Sequence, residues 1–238
     1  MVQMLIDFHI HTYHSYDSLM KPARILRLAK MRGLDAIVIC DHNTLKGAFE
    51  TQALNNDSGL IVIPGAEIAT DAGDITGIFI KNEIKSRKFS EVVREIKDQG
   101  GRVILNHPYK GHDLSLIDFS MIDFIEGWNS RLDLNTNSMA VDLARKHNIP
   151  VVGGSDAHVY PEIGLCCTEV SDLESLTPLK TVFRPSKPVY VTGSQLIKSV
   201  KSKSPSLFFR TLIIYLKTLL NIKPGKAIFF EKRKQHPG

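Results

Sequence analysis

The chain has 238 residues, 43% hydrophobic and 23% charged, the balance of a globular domain rather than of a disordered or fibrous chain. Three cysteines, two of them the adjacent pair Cys166 and Cys167, exclude a disulfide framework and point to a reducing, cytoplasmic setting. The net charge of +5 is a poor sign of nucleic-acid binding, because residues 198–238 hold ten Lys/Arg and one acid and so leave −4 on residues 1–197.

The opening residues lack the charged start and long apolar core of a signal peptide. No stretch reaches the roughly 20 apolar residues of a transmembrane segment. Met4 to Phe8 is an apolar run of strand type that leads into His9 and His11. Their spacing puts both imidazoles on one face of an extended backbone. Taken alone, the pair suits a metal site as well as it suits one buried and one surface histidine. Pro22 to Met31 has helical spacing, with Pro22 in the first turn and Gly33 at the stop. Asp35 to Cys40 reads as a buried strand ending in Asp41-His42-Asn43. A helix from Leu45 to Leu54 follows, then a strand from Leu60 to Ile63 that ends in Pro64-Gly65-Ala66-Glu67. Ile75 to Ile80 reads as a strand antiparallel to its neighbour, because only a short turn intervenes.

Ser90 to Gln99 reads as a helix capped by Ser90 and stopped at Gly100-Gly101. Arg102 to Leu105 is a strand ending in Asn106-His107-Pro108, and Phe124-Ile125 ends in Glu126-Gly127-Trp128-Asn129. A helix from Leu134 to His147 leads to the strand Pro150-Val151-Val152, which ends in Gly153-Gly154-Ser155-Asp156-Ala157-His158. Strand, polar cluster and helix alternate throughout, which predicts an α/β fold with a mostly parallel sheet and covering helices. Barrels of this kind keep their chemistry at the C-terminal ends of the strands.

Five of the nine histidines fall at those strand ends, accompanied by Asp17, Glu67 and Asp156. Histidines placed for packing would scatter, as His112, His147 and His236 do. Imidazole and carboxylate without thiolate favour Zn, Mn or Fe over a structural zinc site. The donors His9, His11, Asp17, His42, Glu67, His107, Asp156 and His158 are too many for one ion and suit two or three, a grouping that serves hydrolysis of phosphate esters.

The runs His9-Ile10-His11-Thr12 with Ser15 and Asp17, Asp41-His42-Asn43-Thr44, Pro64-Gly65-Ala66-Glu67, Asn106-His107-Pro108 and Gly154-Ser155-Asp156-Ala157-His158 resemble those of the PHP (polymerase and histidinol phosphatase) family. The resemblance covers residues 5–170. It implies a distorted (β/α)7 barrel, three metal ions and a metal-dependent phosphoesterase that works through a metal-activated hydroxide. It also implies His9, His11, Glu67 and Asp156 at one ion, and Glu67 bridging to a second ion that His107 also holds. Asp17, His42 and His158 fall to the third, with His158 also a candidate catalytic proton donor. Many members carry a further histidine where this chain has the run from Glu126 to Asn129. Asn129, Glu126 or a water would then fill that place.

Arg131 could offer a guanidinium fork to a phosphate and is a candidate both for catalysis and for substrate binding. Lys110 and His14 are candidate substrate contacts, His112 lies on the same loop as Lys110, and Asp7 and Asp41 read as supports behind the ligands. The sequence divides into a phosphoesterase domain, 1–197, and a basic tail, 198–238. In the tail a Ser/Lys-rich linker over 199–206 precedes a helix from Leu207 to Ile222 and a disordered basic tag, Lys232-Arg233-Lys234. That helix packs on the barrel or across a homo-oligomer, or else lies on a membrane surface or nucleic acid. The expected substrate is a small phosphomonoester. A nuclease acting on nucleic-acid ends and a non-catalytic metal-binding scaffold remain as alternatives.

Overall fold

The first strand is buried from Ile6 to Ile10, Asp7 and His9 included, because both of its faces are covered. In the computed structural model, which describes residues 3–222, β1 (Met4–Ile10) is followed by α1 (Pro22–Met31), β2 (Ala36–His42), α2 (Lys46–Leu54), β3 (Ile61–Thr70), β4 (Gly73–Ile78) and α3 (Phe89–Lys97). Next come β5 (Arg102–Leu105), β6 (Phe124–Asn129), α4 (Leu134–His147), β7 (Val151–Gly154), β8 (Cys166–Val170), β9 (Pro178–Phe183), α5 (Pro188–Lys201) and α6 (Pro205–Leu219). One sheet holds all nine strands in the order β7-β6-β5-β4-β3-β2-β1-β8-β9.

Neighbours run parallel except around β4, which is antiparallel to β3 and β5, and at β8, which is antiparallel to β1 and β9. Past the end of β7 the sheet curls back on β1. There Ile10 bridges Ala157, with Ala157 N–H donating to His9 O at 3.1 Å and His11 N–H to Ala157 O at 3.0 Å. The result is a nearly closed, barrel-like sheet with helices outside it. One apolar cluster, with Ile25, Ile37, Ile39, Val92 and Ala144, lies between sheet and helices. A second, with Ile6, Phe8, Val38, Ile63, Ile104 and Val152, fills the interior.

The register of β1 against β2 slips between Asp7 and Ile10, which pair with Ile37 and Ile39. This extra residue is a β-bulge, a device that re-aims side chains beside functional sites. Ile10 thereby joins the outer cluster, and His9 and His11 turn into the mouth of the barrel above Ile6 and Phe8. A similar slip between Glu126 and Trp128 sets Asn129.

Several expectations need correction. The helix α3 begins at Phe89, so Ser90 lies inside it. Its entry is tied down by Asp71, whose carboxylate accepts the Phe89 N–H at 2.7 Å. Residues 199–201 belong to α5 and Pro205 opens α6, so only a short turn stands where a linker was expected. The position after residue 197 falls within α5. The strands β8 and β9 had no counterpart in the sequence reading. The helix expected from Leu207 is α6. Thr211 of its polar stripe is buried against Ser199 of α5, whereas Phe209, Ile213 and Leu216 are exposed. Lys232-Arg233-Lys234 lies outside the described residues. All three cysteines are free and buried, and no helix among the described residues is long and apolar enough to cross a membrane.

Gly154 lies so close to β1 that a Cβ there would overlap His9 and Glu126. Gly154→Ala is expected to lower unfolding stability by about 1–3 kcal/mol, the usual range for overpacking, as read from chemical denaturation.

Candidate metal centre

Strand ends deliver the polar side chains to one place. His107, Asp156 and Asn43, which follow β5, β7 and β2, have φ of +28°, +51° and +58°. Non-glycine residues adopt such angles at a cost, and they gather at functional sites. Glu67, at the middle of the cluster, is ringed by four imidazoles. Its Oε2 lies 2.8 Å from His42 Nδ1, 3.5 Å from His11 Nε2 and 3.7 Å from His9 Nε2, and its Oε1 lies 3.1 Å from His107 Nε2. Asp156 Oδ1 stands 3.6, 3.5 and 3.3 Å from His9 Nε2, His11 Nε2 and His158 Nδ1. Asp17 Oδ1 completes the group, 3.3 Å from His42 Nε2 and 3.2 Å from His158 Nε2. All eight residues expected to carry ligands therefore meet in one pocket at the barrel mouth.

The hydrogen bonds around the histidines fix what the pocket can hold. His9 Nδ1 donates to Glu126 Oε1 at 2.9 Å. His11 Nδ1 donates to Ser15 Oγ at 3.0 Å, because that hydroxyl spends its own proton on Asp41 Oδ1 at 2.6 Å. With both Nδ1 atoms protonated, each Nε2 presents a lone pair. These two nitrogens face each other at 3.0 Å. A positive charge has to lie between them, either a proton or a metal ion.

Electrostatics point the same way. Burial opposes charge on His9, yet the carboxylates of Glu126, Asp156 and Glu67 hold it well above the ordinary imidazole range. Burial and the neighbouring His158, His42 and His9 hold His11 well below that range. His42 is pushed up to about 10, where Glu67 and Asp17 outweigh its burial. Glu67, Asp17 and Asp156 lie well below the carboxylate range despite burial. The charges of His42 and His9 act on Glu67, those of His158 and His42 on Asp17, and those of Lys110 and His9 on Asp156.

Asp17 Oδ1 and His107 Nδ1 are buried without a hydrogen-bond partner. Buried polar atoms of this kind call for an explanation, and a cation supplies one. Two triads, His11 with His42 and His158, and Glu67 with Asp74 and His107, each bring one ligand atom per residue within 4.8 Å of one another. The donor set thus fits divalent ions. Cys40 lies within the same distance of His9 and His11, but burial raises its thiol to about 11, so it faces them protonated.

Behind these groups lies a layer of carboxylates. Asp7 accepts N–H bonds from His9, Ser155 and Gly164 at 3.2, 2.9 and 2.8 Å. Asp41 takes Thr12 N–H at 2.7 Å and Ser15 Oγ–H at 2.6 Å. Glu126, besides holding His9, accepts His107 N–H and Asn129 Nδ2–H, each at 3.0 Å. Glu126 and Asn129, the expected stand-ins for a further ligand, are therefore occupied in holding other residues. Asp74 is the carboxylate that the sequence reading missed. The antiparallel β3–β4 register pairs Glu67 with Thr76, and Asp74 lies two residues away on the same face of β4. That register was the signal that could have found it.

The three residues read as substrate contacts are dispersed. His14 pairs with Glu50 at 2.8 Å on the rim. Lys110, half exposed, holds its ammonium 3.6 Å from Asp156 Oδ2. The Arg131 side chain is 4% exposed and turns inward. Its nitrogens reach His158 Nδ1, Val191 O and Ser194 Oγ, and Nε lies 3.5 Å from Glu162. Buried among protein partners, its guanidinium is committed to the protein, contrary to the reading of a free phosphate fork.

Relatives bear on what this site is for. A family model described as PHP-associated matches residues 135–180. An uncharacterised protein of Methanocaldococcus jannaschii is 39% identical over 117 residues, 44% of this chain and 68% of that protein. A second one from the same organism is 30% identical over 187 residues, 74% of each chain. A 5'-3' exoribonuclease of Haemophilus influenzae is 31% identical over 65 residues, 27% of this chain and 23% of the enzyme. Among solved structures, a two-domain protein from Bacteroides vulgatus containing a predicted PHP-like metal-dependent phosphoesterase superposes with a TM-score of 0.62 at 21% identity. The match covers 74% of this chain and 61% of that one. The chain belongs to the PHP domain family, and the Bacteroides vulgatus protein shares its fold.

The charge on His42 sets a pH dependence for the metal-free protein. A histidine raised on folding contributes stability that is complete below its ordinary value of 6.5 and is lost as pH climbs toward about 10. In chelator, the melting temperature followed by circular dichroism is expected to fall across that interval, and His42→Asn is expected to flatten the fall.

Proposed function

We propose that this protein is a hydrolase that cleaves a small phosphomonoester at a centre of two or three divalent ions. One observation carries the reading: two imidazole lone pairs face each other across 3.0 Å, with Glu67 and Asp156 beside them. His9, His11, Glu67 and Asp156 would hold one ion, Glu67 and His107 a second, and Asp17, His42 and His158 a third. Manganese, zinc or iron suits such donors. When bound, ions at these positions supply Lewis acidity toward phosphoryl oxygens and a water acidified near neutral pH.

The protein's own groups do the rest. Glu126, Ser15 and Asp41 hold the tautomers of His9 and His11 that leave Nε2 free. His158 Nδ1 lies between an arginine, which can only donate, and the Asp156 carbonyl 2.8 Å away, which can only accept. Donating to the carbonyl leaves a lone pair on Nε2, the state in which His158 can hold the third ion. Lys110 puts a cation at the rim beside Asp156, where a phosphate dianion would arrive.

Short connections over the mouth and the net −4 of residues 1–197 favour a small substrate over a polymer. The partial match to an exoribonuclease favours a second reading, removal of nucleotides from a nucleic-acid end. Hydrolysis of a chromogenic phosphate monoester, phosphorylated metabolites and short 5'-phosphorylated oligonucleotides under added Mn²⁺ separates the two. The monoesters are expected to turn over, chelation to abolish turnover and Mn²⁺ to restore it. His11→Ala and Asp156→Asn are expected to lose more than the roughly 10–100-fold typical of residues that only support ligands. Turnover confined to oligonucleotides would establish the second reading, and no turnover with any metal would leave a binding scaffold.

Asp74→Asn is expected to weaken binding of one ion while sparing the others, because its carboxylate stands with Glu67 and His107. Isothermal titration of the apo-protein with Mn²⁺ measures this.

A further inference from the structure

Helix α5 touches the surroundings of the centre at three points, and each bears on a ligand of one ion. Lys201 directs its ammonium at the carbonyl oxygens of Tyr13, Ser15 and Ser18, at 2.7, 2.5 and 3.2 Å. An ammonium has three donors, and all three are spent on the loop that carries Asp17. Lys198, one turn earlier, sets its ammonium 4.8 Å from the centroid of the Tyr16 ring, which stacks on His42 with ring centroids 4.2 Å apart and planes 5° from parallel. Val191 and Ser194, earlier still, hold the Arg131 guanidinium that reaches His158. Asp17, His42 and His158, the ligands assigned above to the third ion, thus each have α5 behind them.

These contacts join residues 60 to 188 positions apart in the sequence. Among the ligands of the other two ions, His9, Glu67 and His107 are held within the barrel by Glu126 and Asn106, and only His11 leans on the same loop, through Ser15 Oγ. We infer that α5 is a positioning element for the third ion, with Lys201 as its principal residue, so that binding of this ion depends on α5 being docked. The inference rests on the metal-centre reading given under Proposed function and deepens it. A loop whose carbonyls are gathered by one cation keeps Asp17 facing His42 and His158. Released, the loop would let that carboxylate swing toward solvent.

The test uses the full chain as apo-protein, titrated with Mn²⁺ by calorimetry and checked by elemental analysis. Lys201→Met keeps the aliphatic stem and removes the ammonium; Lys201→Arg keeps a cationic donor. The expected result is a roughly 10–100-fold loss of affinity, the usual effect of removing a residue that orients ligands, confined to one ion in Lys201→Met and largely restored in Lys201→Arg. Equal affinities at every site in a cooperatively melting Lys201→Met, or equal weakening at all sites, would overturn the inference. If Lys201→Met does not fold, Lys198→Met reads out the same ion through Tyr16 and His42, and unchanged affinity there overturns the inference. A parent protein that takes up no ion overturns the metal-centre reading itself, a different failure from a parent that loads fully while its lysine variants load equally well.

Discussion

Seven carboxylates are buried among the described residues: Asp7, Asp17, Asp41, Glu67, Glu126, Asp156 and Glu162. Removing that much negative charge from water is prohibitive unless each group finds hydrogen bonds or positive charge. The architecture around the barrel mouth is largely the solution to this problem. Asp7 and Asp41 are met by backbone N–H groups and hydroxyls, and Glu162 by the N–H groups of His158 and Val159 with the Ser186 hydroxyl and Arg131 nearby. Asp17, Glu67 and Asp156 are left facing imidazoles, with few donors of any other kind. Their compensation comes from whatever positive charge the histidines bring or collect, and this makes the pocket a trap for cations.

The division between the two kinds of carboxylate also separates parts that hold from parts that bind. Glu126 shows how closely the two are joined. By accepting from His9, His107 and Asn129 it links β1, β5 and β6, and it leaves His9 with its lone pair directed inward. Gly154 has no side chain for the same reason, since the approach of β7 to His9 leaves no room for one.

Much of this was legible in the sequence wherever a local pattern sufficed. The two-residue spacing of His9 and His11, and polar groups placed at the close of apolar runs, needed only the periodicity of a strand and the known location of chemistry in barrels. The reversed β4 could be read from its short turn. What escaped depended on distance. The inward turn of Arg131 is decided by Glu162 and by α5, and no feature of Asn129-Ser130-Arg131 announces either. Asp74 becomes a neighbour of Glu67 only through the register of a hairpin. The bulge in β1 leaves no mark in composition, although it decides that His9 faces inward. Residues 199–206 read as a linker because serines and a proline dominate the local signal, and for residues 199–201 docking of α5 against the loop after β1 outweighs that preference.

The seam where Ile10 meets Ala157 has a consequence for how the protein comes into being. Donors to the pocket are drawn from the first strand, from the turn after the last parallel one, and from nearly every strand between. A nascent chain that has not yet delivered Ala157 can own most of the imidazoles and still lack a pocket. The positions that draw on Asp156 and His158 are therefore completed only when the two edges of the sheet meet.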